Sequence, residues 1–188
     1  MEGMGRSCAC SLAMANLSEI SSPHQGQLNW YALYTNSNQE KRVAERLDRQ
    51  GIEFYLPLYR TVRRRSDRRV TLSLPLFPGY LFVHISLQDR RRVLETPRVA
   101  WLVGSGSLPS PLPEEEVSIL RRGLTGSVHA EPYKYLTEGC RVRIVNGPFE
   151  GIEGILVEHK QSCRVAVSIQ AIMRSFVIEV GIGDVERI

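Results

Sequence analysis

Apolar residues recur with two different periods along residues 30–123, and each change of period marks an element. Trp30-Tyr31-Ala32-Leu33-Tyr34-Thr35 is aromatic and apolar with no room for a helical stripe, which predicts a largely buried first strand stopped by Asn36-Ser37-Asn38. Over 39–50 the apolar positions are Val43, Ala44 and Leu47, and the spacing predicts an amphipathic helix with Asn38 as N-cap and Gly51 as the left-handed residue that ends it. Phe54-Tyr55-Leu56-Pro57-Leu58-Tyr59 returns to an extended pattern, and Val70-Thr71-Leu72-Ser73-Leu74 alternates as a strand with one wet face. Pro78-Gly79 marks a bend before Tyr80-Leu81-Phe82-Val83, a run suited to a central strand. A short helix is expected over 88–95, closed by Thr96-Pro97, and a strand over 99–103, ended by Gly104-Ser105-Gly106. Pro111 to Pro113 followed by Glu114-Glu115-Glu116 is a helix start, with Val117, Ile119 and Leu120 as the buried face.

The order strand, helix, strands, helix, strand, helix predicts an α/β sandwich in which helices cover one face of a mainly antiparallel sheet. Residues 124–135 lack periodicity and mix Gly, Ser, Pro and charge, as a linker does. From 136 to 188 short β-rich runs at 141–145, 152–158, 164–169 and 176–180, with a last one at Val185, are punctuated by Gly and carry no helical stripe, which predicts a small closed β-barrel. The expected class is therefore α+β. Its parts are a disordered tail over 1–28, a first domain over 29–123, a linker over 124–135 and a barrel over 136–188.

Charge divides along the same boundary. Residues 30–123 carry 16 basic and 10 acidic side chains, whereas 136–188 carry 6 and 7, so contact with a polyanion belongs to the first domain. No stretch approaches the roughly 20 apolar residues of a spanning helix. The four cysteines, at 8, 10, 140 and 163, form no C-x-x-C pair or metal-ligand spacing and suit reduced thiols in a cytoplasmic protein. His24, His84, His129 and His159 are scattered without ligand-spaced neighbours, and no phosphate-cradling glycine loop of the G-x-x-x-x-G-K type occurs. No catalytic residue, cofactor or metal site is expected.

Trp30-Tyr31, Phe77-Pro78-Gly79-Tyr80-Leu81-Phe82-Val83, Thr96-Pro97, Val103-Gly104 and Leu112-Pro113 resemble the N-terminal domain of NusG-type transcription elongation factors. Gly147-Pro148-Phe149-Glu150-Gly151 with Gly154 resembles the KOW motif of that family's C-terminal, SH3-like barrel. The pieces follow the family's order from 30 to 188. Phe54-Tyr55-Leu56-Pro57 and the basic hairpin after it are most similar to specialised members of the RfaH and UpxY type, which act on particular operons. Two positions depart from the pattern. Cys140 stands where Asp is usual, and Ala171-Ile172-Met173-Arg174 replaces the usual Phe-Gly-Arg, which bears on any contact of the barrel with ribosomal protein S10 or the termination factor Rho.

The resemblance implies a monomeric elongation and antitermination factor that binds RNA polymerase without covalent chemistry. By motif position, Tyr34, Phe77, Tyr80 and Phe82 would dock on the clamp helices of the largest polymerase subunit, and Arg91 and Arg92 would meet the lobe opposite. A physical argument agrees in part, since aromatic rings flanking a Pro-Gly bend can stay half exposed and serve as interface anchors; Phe82 suits a core position equally well. Arg42, Arg46 and Arg49 share a helix face. In specialised members that helix meets the non-template DNA strand, a task guanidinium groups suit. Arg63, Arg64, Arg65, Arg68 and Arg69 crowd a hairpin tip and call for an anion: DNA, RNA or an acidic polymerase surface. In the barrel, Phe149 is the expected exposed anchor, and Ile172 and Met173 are further expected partner-binding positions. KOW barrels also occur in ribosomal proteins, so a ribosome- or RNA-associated module is the rival reading. A barrel that refolds as helices is disfavoured by Val165, Val167, Ile169, Val177 and Val180, all β-branched.

Overall fold

The computed structural model describes residues 26–65, 68–105, 108–125, 130–133, 139–159 and 162–188. Residues 1–25 of the expected tail, the hairpin tip at 66–67 and positions 126–129 and 134–135 of the expected linker lie outside the described residues. In chain order the first domain contains β1 (Asn29–Thr35), α1 (Glu40–Arg49), β2 (Glu53–Tyr55), β3 (Leu58–Arg65), β4 (Arg68–Pro75), β5 (Tyr80–Ile85), α2 (Arg90–Leu94), β6 (Val99–Leu102), β7 (Gly104–Ser105), β8 (Leu108–Pro109), β9 (Pro111–Leu112) and α3 (Glu114–Thr125). The main sheet runs β2-β5-β1-β6, all antiparallel, with β9 also pairing β1. β3 and β4 form a separate two-stranded ribbon.

The period of two in β1 and β5 decides what covers each face. Tyr31, Leu33, Leu81, Val83 and Ile85 point one way and bury against Val43 and Leu47 of α1 and Val93 of α2. Trp30, Ala32 and Phe82 point the other way and bury against Val117 and Leu120 of α3. Helices therefore cover both faces, not one. The single-face expectation fails because a strand whose alternate positions are all apolar or aromatic has no wet side to leave open.

Asn38 does not cap α1. It sits at φ 58, and the N-cap residue is Gln39, which makes no side-chain capping bond. The first turn instead holds Glu40, only 3% exposed, whose Oε1 accepts the backbone N–H of Gly79 at 2.6 Å. Gly51 ends the helix at φ 67, as the sequence predicts.

The second domain contains β10 (Ala130–Tyr133), β11 (Arg141–Ile144), β12 (Glu153–His159), β13 (Cys163–Ile169), β14 (Arg174–Val180) and β15 (Val185–Arg187) in one antiparallel sheet ordered β10-β14-β13-β12-β11-β15. The last strand, β15, returns to pair with β11, the first strand of the stretch predicted as a barrel, and β10 adds a further strand along β14. β10 falls within the stretch predicted as linker. Four residues that include Pro132 show no strand period by themselves, and they are extended because they lie along the edge of β14.

The two domains share a core. Phe77 meets Phe176 of β14 edge-on at 5.8 Å between ring centroids, and Phe149 tilts against Phe176 at 6.0 Å. Gly123 of α3 receives the Phe149 ring so closely that a Cβ there would stand 2.1 Å from Phe149 Cε1. Among the described residues no helix is long and apolar enough to cross a membrane.

Candidate docking surface

Register places aromatic rings side by side across the second face of the main sheet. Tyr34 lies opposite Tyr80 on one side and Trp101 on the other, giving an edge contact at 5.0 Å and a stack at 4.4 Å. Trp101 is 54% exposed, and Tyr34 and Tyr80 are half-buried. The Pro78-Gly79 bend fixes this row. Gly79 takes φ 85, its N–H is held by Glu40, and its carbonyl accepts the N–H of Thr35 at 2.8 Å. A Cβ at Gly79 would stand 3.0 Å from Tyr34 Cε2, so a side chain there would press on the central ring of the row.

Trp101 was not among the residues singled out from the sequence. The signal was available in principle. In β6 Leu102 is buried, so alternation turns Trp101 outward, and its register opposite Tyr34 makes it part of the same ledge.

Several expected anchors are buried in this conformation. Phe82 is wholly covered, with Tyr55 stacked on it at 6.3 Å, and Phe77 is 1% exposed, held edge-on between Phe82 and Phe176 of the second domain. The expectation of a half-exposed Phe77 thus fails on account of a contact between residues far apart in the chain. Phe149, expected as an exposed anchor, is also 1% exposed, seated on Gly123. Of its two companions Ile172 is buried at 5%, whereas Met173 is 65% exposed and takes φ 49 in the turn before β14. Arg174, next in the chain, places its guanidinium carbon 5.8 Å from the centroid of Tyr80, so the second domain also overhangs the aromatic row.

α3 is pinned to the sheet by Arg121, a residue the sequence did not mark. Its guanidinium lies 4.5 Å from the Trp30 centroid and 5.3 Å from that of Tyr55, and donates to Glu53 Oε1 at 3.1 Å. Glu53 also pairs with His84 Nδ1 at 2.8 Å, and His84 stacks on Trp30 at 4.8 Å. The hydrogen bond from His84, the largest influence, holds the Glu53 carboxyl below its ordinary value; burial opposes it, and the contact with Arg121 adds a smaller pull in the same direction as His84. Tyr55 donates its hydroxyl to the Leu120 carbonyl at 3.0 Å, and burial pushes that phenol up to about 12, so it remains a neutral donor.

The basic residues converge from three elements. Arg42 and Arg49 are exposed on α1, and Arg46 beside them donates to the carbonyl of Pro97 at 2.9 Å. Arg92 reaches the carbonyl of Gln50, tying α2 to the end of α1, while Arg91, 90% exposed in its side chain, pairs with Glu95 at 2.8 Å. Lys41 donates to Ser73 O at 2.7 Å and holds the β3–β4 ribbon beside α1. In that ribbon Arg64 stands opposite Arg69, which is exposed, and Arg65 opposite Arg68, with Arg63 opposite Val70. The side chains of 63–68 lie outside the described residues. Among the described residues no group of three His, Cys, Asp or Glu side chains is placed to hold a metal.

An α/β unit whose sheet carries an aromatic row, flanked by basic residues of α1, α2 and the β3–β4 ribbon, packs against a small β unit. Residues 28–121 match the family described as transcription termination factor NusG, half the chain, and the chain belongs to the NusG family of non-enzymatic transcription factors. It is 27% identical over 173 residues to the transcription termination/antitermination protein NusG of Pseudomonas aeruginosa, covering 85% of this chain and 98% of the relative. The same protein of Vibrio vulnificus is 30% identical over 174 residues, covering 85% and 95%. Among solved structures, one describing domain interaction in Thermotoga maritima NusG superposes with a TM-score of 0.59 at 26% identity, covering 86% of this chain and 98% of that one.

Proposed function

We propose that this chain is a transcription elongation and antitermination factor that docks on the clamp helices of RNA polymerase through the ledge of Tyr34, Tyr80 and Trp101, extended by Phe77 when the second domain swings away. The observation that carries the reading is that ledge: three aromatic rings in one cross-strand row, with Trp101 left 54% exposed beside a bend pinned by Glu40. Exposed aromatic clusters of this kind supply most of the energy at protein interfaces. Family membership and the names of the relatives, termination/antitermination proteins, support the same reading.

The mechanism is binding alone. A factor that prefers the closed, transcribing form of the polymerase shifts the balance away from paused states by its difference in binding free energy between the two forms. Phe82 supports the ledge from inside the core and does not touch the partner. Arg42, Arg46 and Arg49 face the displaced non-template strand, Lys41 ties the base of the β3–β4 ribbon to the same helix at Ser73, and Arg63, Arg64, Arg65, Arg68 and Arg69 of that ribbon extend the contact. Arg91 and Arg92 lie next to this strip and meet the polymerase itself. The second domain recruits a further partner through the turn at Met173, and the candidates are ribosomal protein S10 and Rho. Phe149 and Ile172 join that contact only after the domains part, because both are buried here.

A pull-down with a clamp-helix fragment tests the central claim. Tyr80→Ala with Trp101→Ala removes two rings that are not sealed in a core, so the fold should persist while clamp binding falls at least tenfold. Undiminished binding by the double variant removes the assigned surface.

A further inference from the structure

The strand β10 occupies an odd position. It follows α3 of the first domain after only four residues, yet it pairs along the outer edge of β14 in the second: Ala130 with Ile178, Glu131 with Val177, Pro132 with Phe176 and Tyr133 with Ser175. Its composition is poor for a strand. Pro132 has no N–H to donate, Glu131 and Pro132 are exposed, and only Ala130 is buried, at 5%. Because directly opposed antiparallel pairs alternate between bonded and non-bonded, the proline fits the non-bonded position, and Glu131 and Tyr133 carry the ladder. Glu131 adds a 3.8 Å approach to Arg164. The strand it lies against is the one that seals the docking face: Phe176 of β14 covers Phe77, and Arg174 overhangs Tyr80.

We propose that Ala130–Tyr133 is a releasable strap, and that its pairing with β14 sets how tightly the second domain covers the aromatic face of the first. Paired, it fixes the second domain five chain steps from Thr125, the end of α3. Released, the first backbone contact with the second domain among the described residues is at Cys140, whose carbonyl accepts the Leu156 N–H at 2.9 Å, fifteen steps from Thr125. A threefold longer tether lowers the effective concentration of one domain at the other roughly five-fold, since closure falls with about the three-halves power of length. The open population, with Phe77, Phe149 and Phe176 uncovered, rises by the same factor. Release also leaves the backbone of β14 as an unpaired sheet edge, a template for any extended segment. A strand of low intrinsic quality suits this task, because a strap that pairs too well never lets go.

The experiment reads solvent access in the full chain without polymerase, so its outcome is independent of the docking reading. Hydroxyl-radical labelling with mass spectrometry follows Phe77, sealed at 1% exposure, and hydrogen exchange follows the amides of β14. Glu131→Pro, which removes a ladder donor, should raise Phe77 labelling roughly five-fold and speed β14 exchange, while Tyr31, equally buried in the other core, stays protected. Glu131→Gln keeps the N–H and should leave both protected. A second variant guards against misfolding: about ten Gly and Ser residues inserted between 127 and 128 lengthen the tether with the strap intact, and should raise Phe77 labelling without loosening β14. Freed β14 amides with Phe77 still protected in Glu131→Pro, or an unchanged Phe77 in the insertion variant, overturn the proposal. So does an equal effect from Glu131→Gln, which would assign the role to the charge and not to the ladder.

Discussion

A single methyl group at Gly123 tests whether the shared core is a separable contact or part of one fold. The Cβ of Gly123→Ala would lie 2.1, 2.3 and 2.6 Å from Cε1, Cζ and Cδ1 of Phe149. Carbon atoms in contact sit about 3.5–4.0 Å apart, so the ring must retreat by roughly 1.5 Å. It has little slack, being 1% exposed with Phe176 at 6.0 Å. Overpacking of this kind costs about 1–3 kcal/mol. Within α3 the same change gains about 0.5–1 kcal/mol, because alanine restricts the unfolded chain more than glycine does. If the second domain retreats as a body, the penalty falls on closure alone, and about 1–3 kcal/mol lowers the closed-to-open ratio some 5- to 150-fold. 15N relaxation should then show the two domains tumbling independently, while the melting temperature of the first domain holds or rises. A variant that still tumbles as one body and melts earlier would refute the reasoning, since the strain would then have entered the fold itself.

Four further outcomes follow from the geometry. Arg121→Met should destabilise the first domain by about 1–3 kcal/mol in urea melts, because a partly exposed cation loses two aromatic faces and one carboxylate at once. Glu53 has its carboxyl below 4.5 in the folded state, so its contribution is present above the unfolded value and is lost as pH falls through the folded one; Glu53→Gln should flatten that part of the acid limb in denaturation midpoints taken below about pH 5. Glu40→Ala leaves the buried Gly79 N–H without an acceptor and should cost about 1–3 kcal/mol, with slower assembly onto a clamp fragment as the bend loosens. Phe77→Ala should cost about 3–5 kcal/mol of stability, whereas Trp101→Ala should cost less than about 1 kcal/mol and show its effect in partner binding.

Much of the candidate site was legible one strand at a time. The Pro78-Gly79 bend and the rings around it stood out because their chemistry is local: a positive φ at Gly79 and aromatic side chains beside it. Trp101 and Arg121 did not stand out, because neither is distinctive in its own segment. Trp101 matters through register with Tyr34, and Arg121 through Trp30, Tyr55 and Glu53, which lie 91, 66 and 68 positions earlier in the chain. Phe77 and Phe149 were misjudged for the same reason: their exposure depends on Phe176 and Gly123, partners no local pattern names.

The amino-acid sequence by itself determined the elements and their kind. The period of 3.6 in α1, the period of two in β4, the acidic start of α3 and the glycine-punctuated strands of the second domain are all properties of segments under a dozen or so residues long. The tertiary structure alone decided that helices cover both faces of the sheet, that a proline-bearing stretch becomes a strand, and that the second domain covers Phe77 beside an aromatic ledge left open at Trp101. Those outcomes depend on which apolar surfaces meet. Burial is a free energy of contact between distant parts of the chain, and it can override a weak local preference wherever the gain in buried area exceeds the cost of adopting the disfavoured conformation.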